Sequence, residues 1–75
     1  MKEVFGRRLQ SERVLAGKSR KDIAEYLGVS LTTISYWETG VNYPSIEILM
    51  KLADLYQVSI DYLLGRTEGK RLNCE

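Results

Sequence analysis

The stretch RKDIAEYLGVSLTTISYWET, residues 20–39, decides the fold of this chain. It contains two short helical patterns that are joined by Gly28-Val29-Ser30. Each pattern has an apolar face, formed by Ile23, Ala24 and Leu27 on the first and by Ile34 and Trp37 on the second. Two helices that cross through a turn of three residues form a helix-turn-helix.

The outer face of the second helix carries polar side chains. Helical spacing places four of them in one row, at Thr32, Ser35, Tyr36 and Thr39. Apolar anchors on the opposite face hold this row rigidly, and hydrogen bonding to base edges requires side chains that are held in place. The row is therefore a candidate surface for reading DNA.

Residues that start and stop helices divide the rest of the chain. Serines are favoured N-caps, and four of them precede helical patterns, at positions 19, 30, 45 and 59. Asp22 has the spacing of a capping box with Ser19. The predicted helices cover about residues 2–16, 20–27, 31–39, 46–56 and 60–64.

These patterns predict an all-α fold, a compact five-helix bundle with a central helix-turn-helix in residues 1–65. Residues 66–75 have one sizeable apolar side chain, Leu72, and are predicted to be a flexible tail. Gly6 interrupts the first helix, which indicates close packing there. The predicted core stripes are Phe5, Leu9 and Ala16 in the first helix, and Ile46, Leu49, Leu52, Ala53 and Tyr56 in the fourth.

Composition limits the possible functions. The chain has 75 residues, a net charge of +1, no histidine and one cysteine, Cys74. A single cysteine excludes an internal disulfide, and without histidine no metal cluster is plausible. No cofactor is expected. The carboxylates lie on solvated helix faces and no Gly-rich phosphate loop is present, so an enzyme is not expected. No apolar run approaches the length of a membrane span, and we expect a cytoplasmic protein.

The chain resembles the phage-repressor helix-turn-helix family of bacteria and phages, also called Cro/cI-like or the xenobiotic-response-element family. The matching pieces are FGxRL at 5–9, Arg13, SxxDIAEYLGVS at 19–30, TISYWETG at 33–40 and PSIEILMKLADLYQVSIDYLLG at 44–65. The resemblance implies a lambda-repressor-like DNA-binding domain. It also implies a regulator of transcription, generally a repressor, that binds a palindromic operator as a homodimer.

The resemblance makes the third helix, residues 31–39, the recognition helix in the major groove. Base contacts are then expected from Leu31, Thr32, Ser35 and Tyr36, with Thr33 close by. Phosphate contacts are expected from Arg20, Thr39, Asn42 and the backbone N–H groups around Gly40. Each of three residues has an alternative: Leu31 packs over the turn, Tyr36 lies on the protein surface, and Arg20 is only solvated.

The family also pairs an arginine of the first helix with a glutamate at the end of the third. Here the pair is Arg13 and Glu38, expected as a structural salt bridge. Glu12 and Lys18 depart from the family, which commonly has apolar residues at those positions. Val41 and Asn42 replace basic residues, which favours a second interpretation: a protein-interaction module of the same fold that has lost DNA binding.

The last two helices carry more apolar residues than one inward face requires: Ile48, Met50, Leu55, Tyr62 and Leu64. A second apolar face often marks a partner surface. The hypothesis is a homodimer through the fourth and fifth helices, which holds two recognition helices about 34–36 Å apart on double-stranded DNA. The alternative is that these residues complete the core of the monomer.

Overall fold

The computed structural model describes residues 2–70 of the chain. Within that range there are five helices: α1 (Lys2–Leu15), α2 (Arg20–Leu27), α3 (Leu31–Glu38), α4 (Ile46–Tyr56) and α5 (Ile60–Leu63). No strand occurs between residues 2 and 70. The prediction of an all-α fold is confirmed, and α1, α3 and α5 each end one residue earlier than predicted.

The four serines start their helices as predicted. Ser19, Ser30, Ser45 and Ser59 each accept a hydrogen bond from the backbone N–H three residues further on. At Ser19 the capping box with Asp22 is complete. Gly28 then ends α2 with a φ of 72°, a left-handed conformation that glycine adopts without steric cost. Local chemistry alone therefore fixes where the helix-turn-helix begins and turns.

The core lies between all five helices. Its largest fully buried side chains are Phe5, Leu9, Ile34, Leu52 and Leu63. Burying each of these contributes about 1.5–3 kcal/mol relative to exposure. Two predicted core positions are wrong: Ala16 is exposed because α1 ends before it, and Ile46 is 69% exposed because it begins α4 at the edge of the core.

Gly6 is buried where α1 crosses the end of α3. A Cβ atom at this position would overlap the carbonyl oxygen of Glu38 and would lie 2.8 Å from the carbonyl oxygen of Trp37. The predicted close packing at Gly6 is confirmed. The absence of a side chain lets the backbones of the two helices approach each other, and this contact fixes the position of α3 relative to α1.

The division of the chain at residue 65 stays a prediction. Residues 66–70 contact the helices, while Cys74 and Leu72 of the predicted tail lie outside the described residues.

Candidate nucleic-acid interface

Helix α3 is held from its inner side by buried residues. Ile34 is 1% exposed, Trp37 is 5% exposed and Glu38 is 6% exposed. At its start, Ser30 Oγ accepts from the backbone N–H of Thr33 at 3.1 Å and lies 2.8 Å from the Thr33 hydroxyl oxygen. The first turn and the inner face of α3 are therefore both fixed.

The outer row of α3 faces outward. Thr32 and Thr39 are exposed, Ser35 is half-buried, and Tyr36 is 47% exposed. Leu31 lies at the start of this surface and is 51% exposed. Large apolar or aromatic side chains in such positions are available to contact a ligand. The predicted readers thus share one side of α3, with Thr33 half-buried beside them.

The predicted pair of Arg13 and Glu38 is present. Arg13 Nε donates to Glu38 Oε2 at 2.7 Å, and its Nη2 donates to Oε1 at 3.2 Å. Arg13 Nη1 also donates to the carbonyl oxygen of Lys18 at 2.9 Å. The hydrogen bond to Glu38 raises the pKa of Arg13, so the guanidinium stays charged. This fork joins α1 to the end of α3 and to the loop before α2.

Arg20 shares the same carboxylate. Its Nε donates to Glu38 Oε1 at 3.0 Å, and its side chain remains 40% exposed. The predicted phosphate ligand is therefore held by a residue of α3, and the alternative of a freely solvated arginine is wrong. Sequence reasoning missed this contact because the two residues are 18 positions apart and no local pattern links them.

The turn after α3 differs from one expectation. The N–H of Gly40 donates to the carbonyl of Trp37 at 3.3 Å, and that of Val41 donates to Tyr36 at 2.9 Å. These two bonds and the φ of 82° at Gly40 are those of a Schellman motif, which satisfies the last carbonyls of a helix. The N–H groups of these two residues are used within the protein, so the prediction that they hold phosphates is wrong.

Thr39 and Asn42 flank this turn. The Thr39 hydroxyl donates to the carbonyl oxygen of Ser35 at 2.7 Å, whereas Asn42 is exposed. Both side chains are exposed, and the difference is that the Thr39 hydroxyl proton is already donated within the protein.

The charges near the start of α2 have both signs. Lys18 and Lys21 are exposed, and the Asp22 carboxylate lies at the helix terminus. The hydrogen bond from the backbone N–H of Ser19 lowers the pKa of Asp22, so this carboxylate is ionised at neutral pH. These three side chains carry two positive charges and one negative charge, and the net charge of the chain is +1.

Residues 2–70 contain neither a membrane-spanning helix nor a cluster of metal ligands. No helix of that range is long and apolar enough to cross a bilayer. The same residues contain no group of three or more His, Cys, Asp or Glu side chains that could hold a metal ion.

Residues 9–63 match the sequence model of the family described as Helix-turn-helix, which covers most of the chain and both helices of the motif. The chain belongs to the Cro/cI-like helix-turn-helix family of transcriptional regulators. The family is one of DNA-binding transcriptional regulators.

Several curated helix-turn-helix proteins are similar to the chain. The HTH-type transcriptional regulator ImmR of Bacillus subtilis (strain 168) is 40% identical over 69 residues, which are 92% of this chain and 54% of ImmR. The cryptic phage CTXphi transcriptional repressor RstR of Vibrio cholerae is 39% identical over 59 residues, 79% of this chain and 53% of RstR. The HTH-type transcriptional activator BcrR of Enterococcus faecalis is 39% identical over 64 residues, 85% of this chain and 31% of BcrR.

This helix-turn-helix chain spans about half the length of ImmR and RstR. The DNA contacts of individual residues stay predictions.

Proposed function

We propose that the protein binds double-stranded DNA in a sequence-specific manner and regulates transcription, as a repressor, with α3 in the major groove. The observation that carries this proposal is the division of α3 into a buried face at Ile34 and Trp37 and an exposed polar face. A helix that is fixed on one side presents its other side in a defined geometry, which base recognition requires.

Base contacts come from the exposed face of α3. The hydroxyl groups of Thr32 and Ser35 donate to or accept from base edges, and Tyr36 reaches a base or a phosphate. Leu31 contacts the methyl group of a thymine, and Thr33 lies beside it. The exposure of Leu31 and Tyr36 supports these roles because neither side chain is needed to fill the core.

Phosphate contacts come from Arg20, Thr39 and Asn42 on either side of α3. Only Nε of Arg20 bonds to Glu38, so the terminal nitrogens of the guanidinium are left to form charge-assisted bonds with a phosphate. Phosphate contacts of this kind set the register of the protein on the duplex and carry no sequence information themselves.

The proposed assembly is a homodimer through α4 and α5 on a palindromic operator, acting in the cytoplasm. Of the surplus apolar residues, Ile48, Leu55, Tyr62 and Leu64 pack partly against the core, and Met50 is 52% exposed. An apolar groove of about 410 Å³ lies beside Tyr43, Ile46 and Leu64. The exposed Ile46 at this groove supports an interface between two copies.

A second candidate function is a protein-interaction module that keeps the fold without DNA binding. The observation that favours it is Val41, which is 53% exposed at a position where the resemblance implies a basic residue. The two functions differ in their response to salt, since binding through phosphates weakens steeply as the salt concentration rises.

Selection of bound sequences from a random pool of duplex DNA tests the proposal. We expect enrichment of a palindromic consensus, and the variant with Thr32→Ala and Ser35→Ala should lose that preference. The matched control is Ser11→Ala, on the exposed face of α1. If no sequence is enriched and affinity for duplex DNA does not change with salt, the second candidate replaces the first.

A further inference from the structure

The chain that follows α5 returns to the body of the domain. Residues 66–70, which we call the clasp, run back past the start of α5. The backbone N–H of Ser59 donates to the carbonyl oxygen of Lys70 at 2.6 Å, and the Ser59 hydroxyl donates to the carbonyl of Gly69 at 3.4 Å. Ser59 therefore both starts α5 and holds the end of the clasp.

Arg8 of α1 connects α1, α5 and the clasp. Its Nη1 donates to the carbonyl oxygens of Tyr62 at 2.6 Å and Thr67 at 2.8 Å, and its Nη2 lies 3.1 Å from Glu68 Oε1. The guanidinium carbon stands 4.1 Å from the centre of the Tyr62 ring, a cation–π contact. The Arg8 side chain is only 18% exposed, whereas Glu68 is 94% exposed, so water competes least with the part-buried bond to Tyr62.

A buried charge is neutralised by the clasp. The Glu12 side chain is 8% exposed, and Lys70 Nζ lies 2.9 Å from its Oε2. That oxygen accepts no hydrogen bond within residues 2–70, so its charge is balanced through the ion pair with Lys70. Removing one partner of such a pair leaves an uncompensated charge in a poorly solvated site, which is strongly destabilising.

The pair at Glu12 adjoins the ion pairs that hold α3. Arg13, the next residue of α1, bonds to Glu38, which also bonds to Arg20. Tyr56 of α4 lines one small cavity together with Glu12 and Lys70. Opposite charges thus alternate from the clasp, through α1, to the last residue of α3 and the first of α2.

We propose that the clasp is a coupling device: closed, it stabilises the packing of α1 against α3, and its release transmits the state of the chain beyond residue 70 to the recognition helix. Release takes Lys70 away from Glu12 and Thr67 away from Arg8. A partner that captures the clasp therefore destabilises the domain. The effect on DNA affinity rests on the proposed function, whereas the effect on stability does not.

Thermal unfolding of the full chain tests the stability effect. Lys70→Met should lower Tm by about 5–10 °C, because Glu12 loses its counter-charge. Adding Glu12→Met should restore most of the loss, because it removes the buried charge. The control is Lys51→Met, an exposed lysine on α4, which should change Tm by about 2 °C at most. A Tm of Lys70→Met equal to that of the control, or no recovery in the double variant, would show that the clasp does not stabilise the fold through Glu12.

Arg8 gives a second test that keeps every charge. Arg8→Lys cannot form the fork to Tyr62, Thr67 and Glu68, and should lower Tm by about 4–8 °C. Arg7→Lys, the exposed neighbour on α1, is the matched control. Equal Tm values for the two variants would contradict the role of Arg8.

The coupling to α3 is measured with a duplex taken from the sequence selection. At 25 °C, where both variants are folded, Lys70→Met should bind about 3-fold more weakly than Lys51→Met, which has the same net charge. Equal affinities would overturn the coupling to α3. If the wild type binds no duplex, the proposed function is refuted, and the shifts in Tm still decide whether the clasp stabilises the fold.

Discussion

Single residues set the closest contacts of this domain. Gly6 lets α1 approach the backbone of Trp37 and Glu38, and Glu38 places one buried charge between two arginines. Tyr56 is buried in the core, and its hydroxyl lies near the charges of Glu38 and Arg13. Each of these residues has a measurable consequence.

Gly6→Ala should destabilise the protein although alanine is the better helix former. Alanine gains about 1 kcal/mol in helix propensity, but its methyl group overlaps carbonyl oxygens that belong to fixed backbone. Overpacking of this kind costs about 1–3 kcal/mol, and the two helices must also separate, so we expect a net loss. Urea denaturation measures it, with Ser11→Ala on the exposed face of α1 as control. An unchanged or higher midpoint for Gly6→Ala would contradict the close contact.

The raised pKa of Tyr56 predicts that the folded protein loses stability at high pH. Burial, and next the charge of Glu38, raise the pKa of its hydroxyl from 10.0 to about 12 in the folded protein. Its contribution is complete below pH 10 and is lost as the pH rises to 12, because the unfolded chain releases this proton first. Tyr56→Phe should therefore lose less stability than the wild type between pH 10 and 12. Equal losses, measured by urea denaturation across this interval, would show that Tyr56 does not titrate as expected.

At the scale of helices, one carboxylate joins three of them. Glu38 at the end of α3 bonds to Arg13 of α1 and to Arg20 of α2, while the helix starts are fixed separately by serine caps. Serine caps determine where α2 and α3 begin, and the shared ion pairs determine how α1, α2 and α3 are oriented.

Glu38→Gln should therefore destabilise the domain and weaken DNA binding together. The variant keeps the shape of the side chain but leaves two guanidinium groups without an anion, which costs about 2–3 kcal/mol. Glu47→Gln, on the exposed start of α4, is the matched control. Urea denaturation and duplex titration at low salt measure the two effects. If both stay at the values of the control, the ion pairs do not organise α3.

The helix boundaries could be predicted from the sequence because their causes are local. A serine cap and a left-handed glycine act within four residues, so the roles of Ser30 and Gly28 can be recognised from the residues around them. Ile46 fits the apolar spacing of α4 yet is exposed, since periodicity does not show where a helix passes beyond the core.

Contacts between distant parts of the chain could not be predicted. Arg8 meets Thr67 across 59 positions, and Lys70 meets Glu12 from a segment that composition alone identifies as a tail. The resemblance to known relatives supplied Arg13 and Glu38, but it gave no sign of Arg20 as a second partner, 18 positions before Glu38.

At the scale of the whole molecule, exposed apolar side chains lie outside α3 as well. Ile46 and Met50 of α4 are 69% and 52% exposed, and the groove beside Tyr43 and Leu64 lies next to Ile46. An apolar surface of this kind costs little in a monomer and favours association when two copies meet.

Ile46→Asp should leave the monomer folded and weaken the homodimer. The side chain fills no core space, so Tm should change by about 3 °C at most, whereas a charge at the proposed interface opposes association. Analytical ultracentrifugation at several concentrations measures the effect, with Gln10→Asp on α1 as a control of equal charge. Identical sedimentation of the variant and the wild type would place any dimer interface elsewhere.

The separation of the two faces of α3 has a consequence for the evolution of such proteins. Thr32, Ser35 and Tyr36 fill no core space, and substitutions at surface positions of this kind generally change the free energy of unfolding by about 0.5 kcal/mol at most. After a gene duplication, these three codons are therefore free to diverge while Ile34, Trp37 and the glycine at position 6 are retained. If these residues read bases as proposed, two copies in one genome would then acquire different targets without either one passing through an unstable intermediate.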